Sequence, residues 1–333
     1  MIFLYQLTRG VLALMIGFII SIVTGIILVP LLKKFKISQT ISTYLEKRHK
    51  EKEGIPTMGG LIFIIPTILS IVLLILLGKL EFTSNLFIVL FVFVAYAILG
   101  FIDDFLIIKR RNNIGLTEVQ KLIGQILIAI VFYIIYMKSG AESTLEIYTL
   151  GIEINMGWFY GIFLLFMLVA SSNAVNITDG LDGLAGGLSM IAFLTFALIS
   201  ANSKAIEGTG EIAVFCFVLV GALIGFLAFN SRPAKVFMGD TGSLSLGATL
   251  ATIAIITKHE ITFIVVSGVF IFETLVSLIQ IISIVYFHKK VFLMTPFHHH
   301  LEKLGWNERD IVVLFWCIGL ILAMAAIVFG VWY

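Results

Sequence analysis

The sequence predicts an all-α, polytopic membrane protein, built as one integral domain over residues 1–333. Hydrophobic residues make up 60% of the chain, charged residues only 13%, and the mean hydropathy is +1.10. This composition excludes a soluble globular domain. A helix that crosses the hydrocarbon core needs about 20 predominantly apolar residues, because its backbone amides must be hydrogen-bonded within the segment.

Ten apolar runs are long enough to be transmembrane helices. The ninth is 27 residues long, which is enough to tilt or break within the bilayer. Glu273, Ser277 and Gln280 share one face of it, and polar groups at membrane depth usually face a cavity or the protein interior. We expect this run to border a groove for lipid entry. In chain order the predicted spans are 11–32, 58–77, 85–102, 119–137, 157–173, 183–200, 211–229, 242–257, 261–287 and 310–331.

The distribution of basic residues predicts the orientation of these helices. With ten spans the two termini share a side, and the five loops on the other side, together with the helix edges beside them, hold 17 of the 22 lysines and arginines. Short cytoplasmic loops are enriched in these residues, so the five loops are predicted to be cytoplasmic and both termini extracytoplasmic. A topology signal, or contact with anionic lipid, also explains most of the basic segment 33–52. The five loops are about 33–57, 103–118, 174–182, 230–241 and 288–309.

All six aspartates of the chain map to this predicted cytoplasmic face, whereas the outer loops carry only glutamate. Aspartate is favoured at turns and helix N-termini, and Asp310, at the start of the last span, is expected to be such a cap. The other five lie in polar segments with unusual local sequences. They are therefore candidates for chemistry.

Asp103 and Asp104 end the third span as an adjacent pair. Adjacent carboxylates repel each other, and charge at a membrane boundary is costly unless a cation compensates it. Mg²⁺ is typically held by one or two carboxylates together with substrate phosphates, so a metal–diphosphate site is one interpretation. Neutralisation by the basic residues at 109–111 is the alternative.

The segment from Ser171 to Gly187 crowds polar residues and glycines between two apolar spans, with no basic residue among them. Its amides and carboxylates suit hydrogen bonds to a nucleobase, a ribose or a sugar. Gly180 and Gly183 allow close approach of the backbone, whereas Gly183 and Gly187 are also spaced for helix packing. Both interpretations are compatible. The candidate ligand-binding residues are Asn173, Asn176, Thr178, Asp179 and Asp182.

A third polar segment, 230–243, leads into the eighth span. Asp240 lies between Gly239 and Thr241, at a helix start whose unpaired N–H groups suit anionic groups, although a simple N-cap also explains it. Phe237 has a ring that can stack on a base, and a lipid-facing position is the alternative.

Two further segments lie on the same predicted face. Lys52 precedes the glycine-rich turn 54–60, and an ammonium group beside such a turn suits a phosphate. His298, His299 and His300 supply three imidazoles that can bind phosphate, transfer protons or ligate a metal. A histidine triplet alone is weak evidence, and the carboxylate motifs on the same face strengthen it.

Together these motifs resemble the polyprenyl-phosphate N-acetylhexosamine-1-phosphate transferase superfamily, and most closely its phospho-N-acetylmuramoyl-pentapeptide transferases. The resemblance implies that UDP-N-acetylmuramoyl-pentapeptide and undecaprenyl phosphate react at the cytoplasmic face of the bacterial plasma membrane, giving lipid I and UMP, with Mg²⁺ as cofactor. No nucleic-acid partner is expected, and the oligomeric state, a homodimer included, stays open. The matching motifs are Pro56-Thr-Met-Gly-Gly, Asp103-Asp104, Asn173-Ala-Val-Asn-Ile-Thr-Asp-Gly-Leu-Asp-Gly, Pro233-Ala-Lys-Val-Phe-Met-Gly-Asp-Thr-Gly-Ser and Pro296-Phe-His-His-His.

The resemblance also implies roles for individual residues. Asp240 is the expected Mg²⁺ ligand, Asp103 deprotonates or orients the lipid phosphate, and Asp104 supports it. Whether transfer is direct or passes through a covalent carboxylate intermediate stays open. The expected phosphate contacts are Lys52, Lys121 and His298. Of these, His298 is also expected to be catalytic. The expected nucleotide and sugar contacts are Asn173, Asn176, Thr178, Asp179, Asp182, Phe237 and His299, and the further substrate contacts are Thr57, Gly239, Ser243, Gln280 and His300.

Two other functions fit parts of the sequence. A sibling transferase that moves N-acetylglucosamine-1-phosphate shares the aspartate motifs, whereas the resemblance at 56–60 and 295–300 favours the muramoyl-pentapeptide substrate. A lipid or solute transporter also has about ten helices with intramembrane polar groups, but transporters bind substrate near the bilayer midplane, often between related repeats. Here the polar motifs cluster at one face and no repeat is evident.

Overall fold

The computed structural model describes residues 2–34, 54–110, 115–147, 150–202 and 208–331, and helices dominate it. The elements in chain order are α1 (Ile2–Lys34), α2 (Leu61–Leu76), α3 (Ser84–Arg110), α4 (Glu118–Lys138), β1 (Thr144–Ile147), β2 (Ile152–Asn155), α5 (Phe159–Thr178), α6 (Leu184–Asn202), α7 (Thr209–Asn230), α8 (Gly239–Ile256), α9 (Glu260–Val266), α10 (Gly268–Phe287), α11 (Phe297–Lys303) and α12 (Glu308–Val331).

Nine helices among the described residues are long and apolar enough to cross a membrane. The prediction of an all-α polytopic membrane protein is therefore confirmed, whereas the extent of a single domain over residues 1–333 stays a prediction. The predicted span 58–77 corresponds to α2, an apolar helix of only 16 residues. It begins at Leu61 because the preceding turn bonds elsewhere, with the Gly59 N–H donating to the Phe237 carbonyl at 2.7 Å.

The predicted ninth span, 261–287, is broken into two helices. Ser267 ends α9 and precedes α10, and its own backbone is not helical. Gly268 packs so closely against α12 that an added Cβ would lie 2.8 Å from Leu322 Cδ1. The break therefore coincides with a tight contact between α10 and α12.

Helices α7 and α8 form the centre of the bundle and are buried along almost their whole length. α7 contacts α1 and α6, and α8 contacts α3 and α5. An added Cβ at Gly17 would lie 2.3 Å from the Val218 carbonyl oxygen, and one at Gly221 would lie 2.0 Å from that of Leu14. Glycines thus let α1 and α7 touch backbone to backbone, as small residues do between membrane helices.

The β-hairpin formed by β1 and β2 was not predicted. Its strands pair antiparallel between α4 and α5. Each has four residues that alternate between polar and apolar, which is the shortest alternation that indicates a strand. Lys258 Nζ donates to the carbonyls of Glu142 and Thr144 at 2.8 and 2.9 Å. Because α8 begins beside Asp240 and ends near Lys258, the hairpin lies at the opposite end of the bundle from that aspartate.

Candidate active site

Four helices bring predicted site residues together at one end of the bundle. Asp103 and Asp104 lie near the end of α3, Lys121 near the start of α4, Asn176 near the end of α5 and Asp240 near the start of α8. Hydrogen bonds and ion pairs join these residues across separations of up to 136 positions. The aspartate motifs at 103–104 and 240 therefore form one cluster.

Asp104 is a structural carboxylate that caps α8. It is fully buried and accepts hydrogen bonds from the Thr241 N–H at 3.0 Å, the Thr241 hydroxyl at 2.6 Å and the Asp240 N–H at 3.3 Å. The first N–H groups of a helix lack partners within it, and a negative charge beside them interacts favourably with the helix dipole. Asp104 therefore fixes the start of α8 and the position of Asp240.

Gly239 leaves the space that this cap needs. Its φ is +74°, a conformation that glycine adopts without steric cost. An added Cβ would lie 2.6 Å from both Asp104 Oδ2 and Thr57 Oγ1. A larger residue at 239 would thus push the Asp104 carboxylate away from α8, and the predicted substrate contact of Gly239 stays a prediction.

Asp103 faces the start of α4. It is 4% exposed and accepts a hydrogen bond from the Leu116 N–H at 2.9 Å. Lys121 Nζ lies 3.8 Å from Asp103 Oδ2 and forms an ion pair with Asp240. One ammonium group thus bridges two carboxylates that come from different helices.

Asp240 is the most exposed carboxylate of the cluster. Its side chain is 18% exposed, against 5% for that of Asp103. Asn176 Nδ2 donates to Asp240 Oδ1 at 2.7 Å and to Ser243 Oγ at 2.9 Å, which holds the carboxylate from the side of α5. No three His, Cys, Asp or Glu side chains in the described part of the chain form a metal-ligand set by themselves. Asp240 and Asp103 are the carboxylates placed to contribute ligands.

Asp179 follows α5 and lies beside the cluster. It is partly exposed and accepts a hydrogen bond from the Gly239 N–H. Partial burial, and then the negative charges of Asp240, Asp104 and Asp182, raise the pKa of Asp179 to about 7. Desolvation and neighbouring negative charge both disfavour an ionised carboxylate. At neutral pH Asp179 is therefore able to donate as well as to accept a hydrogen bond.

Other polar side chains of the segment 173–182 bond within the protein. Asn173 exchanges hydrogen bonds with α4 at 2.9 and 3.3 Å, and the Thr178 hydroxyl donates to a carbonyl of its own helix at 2.8 Å. Asp182 Oδ2 accepts a hydrogen bond from the Ala234 N–H at 3.1 Å. These contacts hold the loop in place, and binding of nucleotide and sugar by these three side chains stays a prediction.

The glycine-rich turn before α2 packs against Phe237. The Phe237 N–H donates to the Pro56 carbonyl at 2.8 Å, and its carbonyl accepts from the Gly59 N–H at 2.7 Å. Thr57 is buried here, with a hydroxyl that has no hydrogen-bond partner among the described residues. Phe237 is partly exposed, as a base-stacking role requires. Lys52, the predicted phosphate contact, lies outside the residues that the structure describes.

The three histidines of α11 have different environments. His298 is fully buried, and its Nδ1 lies 3.2 Å from Glu273 Oε1. His299 Nδ1 lies 2.6 Å from Glu302 Oε2. His300 Nδ1 accepts a backbone N–H of the preceding loop at 3.1 Å. Each imidazole therefore has its own partner, and the rings of His298 and His299 also contact each other edge to face, with centroids 4.3 Å apart.

Gln280 holds the loop that follows α10. Its Oε1 accepts hydrogen bonds from the N–H groups of Val291 and Phe292, and its Nε2 donates to the Phe292 carbonyl, each at 3.0 Å. Glu273, two turns earlier on the same face, bonds to the first N–H groups of α11. The polar face of α10 is therefore turned toward the segment 291–298. A substrate contact of Gln280 stays a prediction.

Glu308, the first residue of α12, was missed by the sequence analysis. It is 4% exposed, accepts a hydrogen bond from the Asp182 N–H at 2.9 Å and forms an ion pair with Arg232. Asp310, the expected cap, lies exposed in the first turn of α12. Glutamate is ordinary in the first turn of a helix, so no sequence signal distinguished Glu308.

Gln125 was missed as well. Its Oε1 accepts from Asn173 Nδ2 at 2.9 Å, and its Nε2 donates to Asn173 Oδ1 at 3.3 Å. A glutamine inside an apolar span is itself a signal, because polar groups at membrane depth usually face the protein interior.

Known proteins similar to this chain identify its family. Residues 86–258 match the model of glycosyl transferase family 4, and residues 52–64 match phospho-N-acetylmuramoyl-pentapeptide-transferase signature 1. The chain is 47% identical over 325 residues to the phospho-N-acetylmuramoyl-pentapeptide-transferase of Geobacillus sp. (strain WCH70), covering 97% of this chain and 98% of the relative. It is 44% identical over 319 residues to the transferase of the same name from Bacillus subtilis (strain 168), covering 96% and 97%. The chain therefore belongs to the phospho-N-acetylmuramoyl-pentapeptide-transferase family.

Proposed function

We propose that this protein transfers phospho-N-acetylmuramoyl-pentapeptide from UDP-N-acetylmuramoyl-pentapeptide to undecaprenyl phosphate, giving lipid I and UMP. The observation that carries the proposal is the cluster of Asp103, Lys121 and Asp240 at one end of the bundle, in a chain of this family. Phosphoryl transfer depends mainly on positioning and on stabilising charge. The cluster supplies ionic groups for both purposes.

The residues of the cluster divide these tasks. Asp103, which faces the start of α4, orients or deprotonates the phosphate of the lipid acceptor, and Lys121 contacts phosphate oxygens. Asp104 acts indirectly, since its described bonds cap α8. Asp179 and Phe237, both partly exposed beside the cluster, contact the nucleotide-sugar.

Mg²⁺ is the cofactor that this donor set fits. Asp240 would hold the ion, because Mg²⁺ usually takes one or two protein carboxylates and completes its shell with substrate phosphates and water. Lys121 forms ion pairs with Asp240 and Asp103, and the negative charge of Asp104 also acts on its ammonium group. This excess of negative charge supports a bound cation. When bound, the ion neutralises charge on the diphosphate.

We place the protein in the bacterial cytoplasmic membrane, with its site facing the cytoplasm and both termini on the outside. The support is the excess of lysine and arginine on the side of the aspartates, where the loops and the helix edges beside them hold 17 of the 22 basic residues. A homodimer stays a prediction, and the molecular mass of the purified protein in detergent tests it.

Release of UMP by the purified full-length protein tests the proposed reaction. The protein is incubated with undecaprenyl phosphate and either UDP-N-acetylmuramoyl-pentapeptide or UDP-N-acetylglucosamine, with Mg²⁺ or with EDTA. We expect UMP from the muramoyl-pentapeptide donor, lost in EDTA and restored by Mg²⁺. Preferential turnover of UDP-N-acetylglucosamine would assign the chain to the sibling transferases. Full activity in EDTA would contradict the cofactor, and substrate movement across liposomes without UMP release would contradict a transferase.

A further inference from the structure

Glu273 is a buried carboxylate on α10 to which the proposed reaction assigns no role. It is 0% exposed. Its Oε2 accepts a hydrogen bond from the Phe297 N–H at 2.5 Å, and its Oε1 accepts one from the His298 N–H at 3.1 Å. These are the first N–H groups of α11, which have no partners within that helix. Glu273 therefore caps the histidine-bearing helix from a neighbouring helix.

The same carboxylate faces the imidazole of His298. Nδ1 of His298 lies 3.2 Å from Glu273 Oε1, and both side chains are fully buried. The other two contacts of the Glu273 carboxylate are with the backbone N–H groups of α11. Such donors suit an ionised carboxylate, because that group only accepts hydrogen bonds. The imidazole nitrogen that faces it is then the protonated one. In a neutral imidazole this leaves Nε2 with its lone pair.

Nε2 of His298 is directed at the loop beside the aspartate cluster. A Cβ added to Gly180, the residue after Asp179, would lie 2.2 Å from this atom. Nε2 has no hydrogen-bond partner in the described part of the chain, and buried polar atoms without a partner are rare in native proteins. The missing side chain at Gly180 is what lets the imidazole approach the loop.

We propose that Glu273 is a positioning residue of the transferase: it holds His298 with Nδ1–H toward α10 and Nε2 toward the loop of Asp179 and Gly180. The inference rests on the proposed function. In this tautomer the lone pair of Nε2 is presented to that loop, where it can accept a hydrogen bond. No proton is transferred to His298, and Asp103 keeps its role at the lipid phosphate. The ionisable groups that act on His298 are Glu273, His299 and Glu302.

The tautomer of His298 is measured first, on the full-length protein in detergent with ¹⁵N-labelled histidine. The signals of His298 are those that His298→Gln removes. At neutral pH we expect a protonated Nδ1 and a bare Nε2 in the wild type. In Glu273→Gln the amide can donate to Nδ1, so we expect the opposite tautomer. A wild-type His298 protonated at Nε2 would overturn the proposal, whatever substrate the protein uses.

Kinetic measurements distinguish a role of Glu273 in positioning His298 from a role only in stabilising the fold. Glu273→Gln is expected to lower kcat by about tenfold to a hundredfold, as loss of a group that orients a functional imidazole does, with a smaller change in KM for the UDP-sugar. The double variant with His298→Gln should be no slower than His298→Gln alone. If the two losses multiply, Glu273 acts independently of His298 and the proposal fails.

Two further variants control for folding. Thr274→Ala is the matched neighbour on α10, since the Thr274 hydroxyl donates to the Phe270 carbonyl of its own helix at 2.9 Å, and it should keep wild-type kcat. Gly180→Ala leaves Glu273 intact and displaces the imidazole, so it should lower kcat even if Glu273→Gln does not fold. An unchanged kcat in Gly180→Ala would overturn the placement of Nε2 at the site.

Discussion

Asp104 and Gly239 show how single residues position a neighbouring functional side chain. Asp104 accepts three hydrogen bonds from the start of α8, and Gly239 gives the backbone room to make them. Both residues fix the position of Asp240. Asn176 Nδ2 donates a hydrogen bond to Asp240 Oδ1 at 2.7 Å and so holds the carboxylate from the side of α5. The partly exposed Asp240 is therefore oriented before any ligand arrives.

Asp240→Asn tests the proposed role of this carboxylate. The amide keeps the shape of the side chain and removes the negative charge, so we expect UMP release to fall by about 10²–10³-fold, the loss typical when one preoriented electrostatic group is removed from an enzyme site. The Mg²⁺ concentration for half-maximal activity should rise. Asp310→Asn, the same change at an exposed position in α12, is the control and should behave as the wild type. Full Mg²⁺-dependent activity in Asp240→Asn would contradict the metal assignment.

The burial of His298 is expected to make the free energy of unfolding depend on pH. Burial lowers the pKa of His298 in the folded protein below 6.5, its value in an unfolded chain. Below about pH 6.5 the unfolded state therefore binds more protons than the folded state, and the free energy of unfolding decreases as pH falls toward the lowered value. Above about pH 6.5 this contribution is constant.

Unfolding of the wild type and of His298→Gln in detergent, compared between about pH 5 and pH 8, measures this contribution. The variant lacks the titrating group, so the free-energy difference between the two proteins should change below about pH 6.5 and stay level above it. A difference that does not vary with pH would contradict the buried, neutral imidazole.

At the scale of elements, the apolar runs predicted the helices well because a membrane segment must satisfy its own backbone hydrogen bonds. What the runs could not predict was set by contacts between distant segments. α2 begins late because Gly59 bonds to Phe237, and the ninth span breaks at Ser267, where α10 packs on α12. The hairpin has no apolar run at all, and it depends on Lys258, more than 100 residues further along the chain.

The anchoring of the hairpin is tested by Lys258→Met. The substitution removes the hydrogen bonds from Nζ to the carbonyls of Glu142 and Thr144, so it should lower the free energy of unfolding by about 1–3 kcal/mol. Because the hairpin lies at the opposite end of the bundle from Asp240, kcat for UMP release should not change. Lys138→Met, at an exposed position at the end of α4, is the matched control. Equal stability of the two variants would contradict the anchoring role.

For the molecule as a whole, the predicted topology placed the aspartate motifs on one face, and the structure does bring Asp103, Asp104, Asp179 and Asp240 together at one end of the bundle. The order of spans and loops in the sequence was enough to predict that these aspartates lie at the same end of the bundle. Partner choice was not predictable, because Asn173 pairs with Gln125 of another helix and Asp182 with the backbone of the loop before α8. Such pairings depend on how the helices pack.

We propose that the reaction takes place at the membrane face that carries most of the lysines and arginines. This proposal is tested by UMP release in sealed vesicles of known orientation, supplied from outside with UDP-N-acetylmuramoyl-pentapeptide, which is too polar to cross the bilayer. Inverted vesicles, which expose the cytoplasmic face, should release UMP at once. Right-side-out vesicles should do so only after detergent opens them. Release by intact right-side-out vesicles, and none by inverted vesicles until they are opened, would contradict the claim.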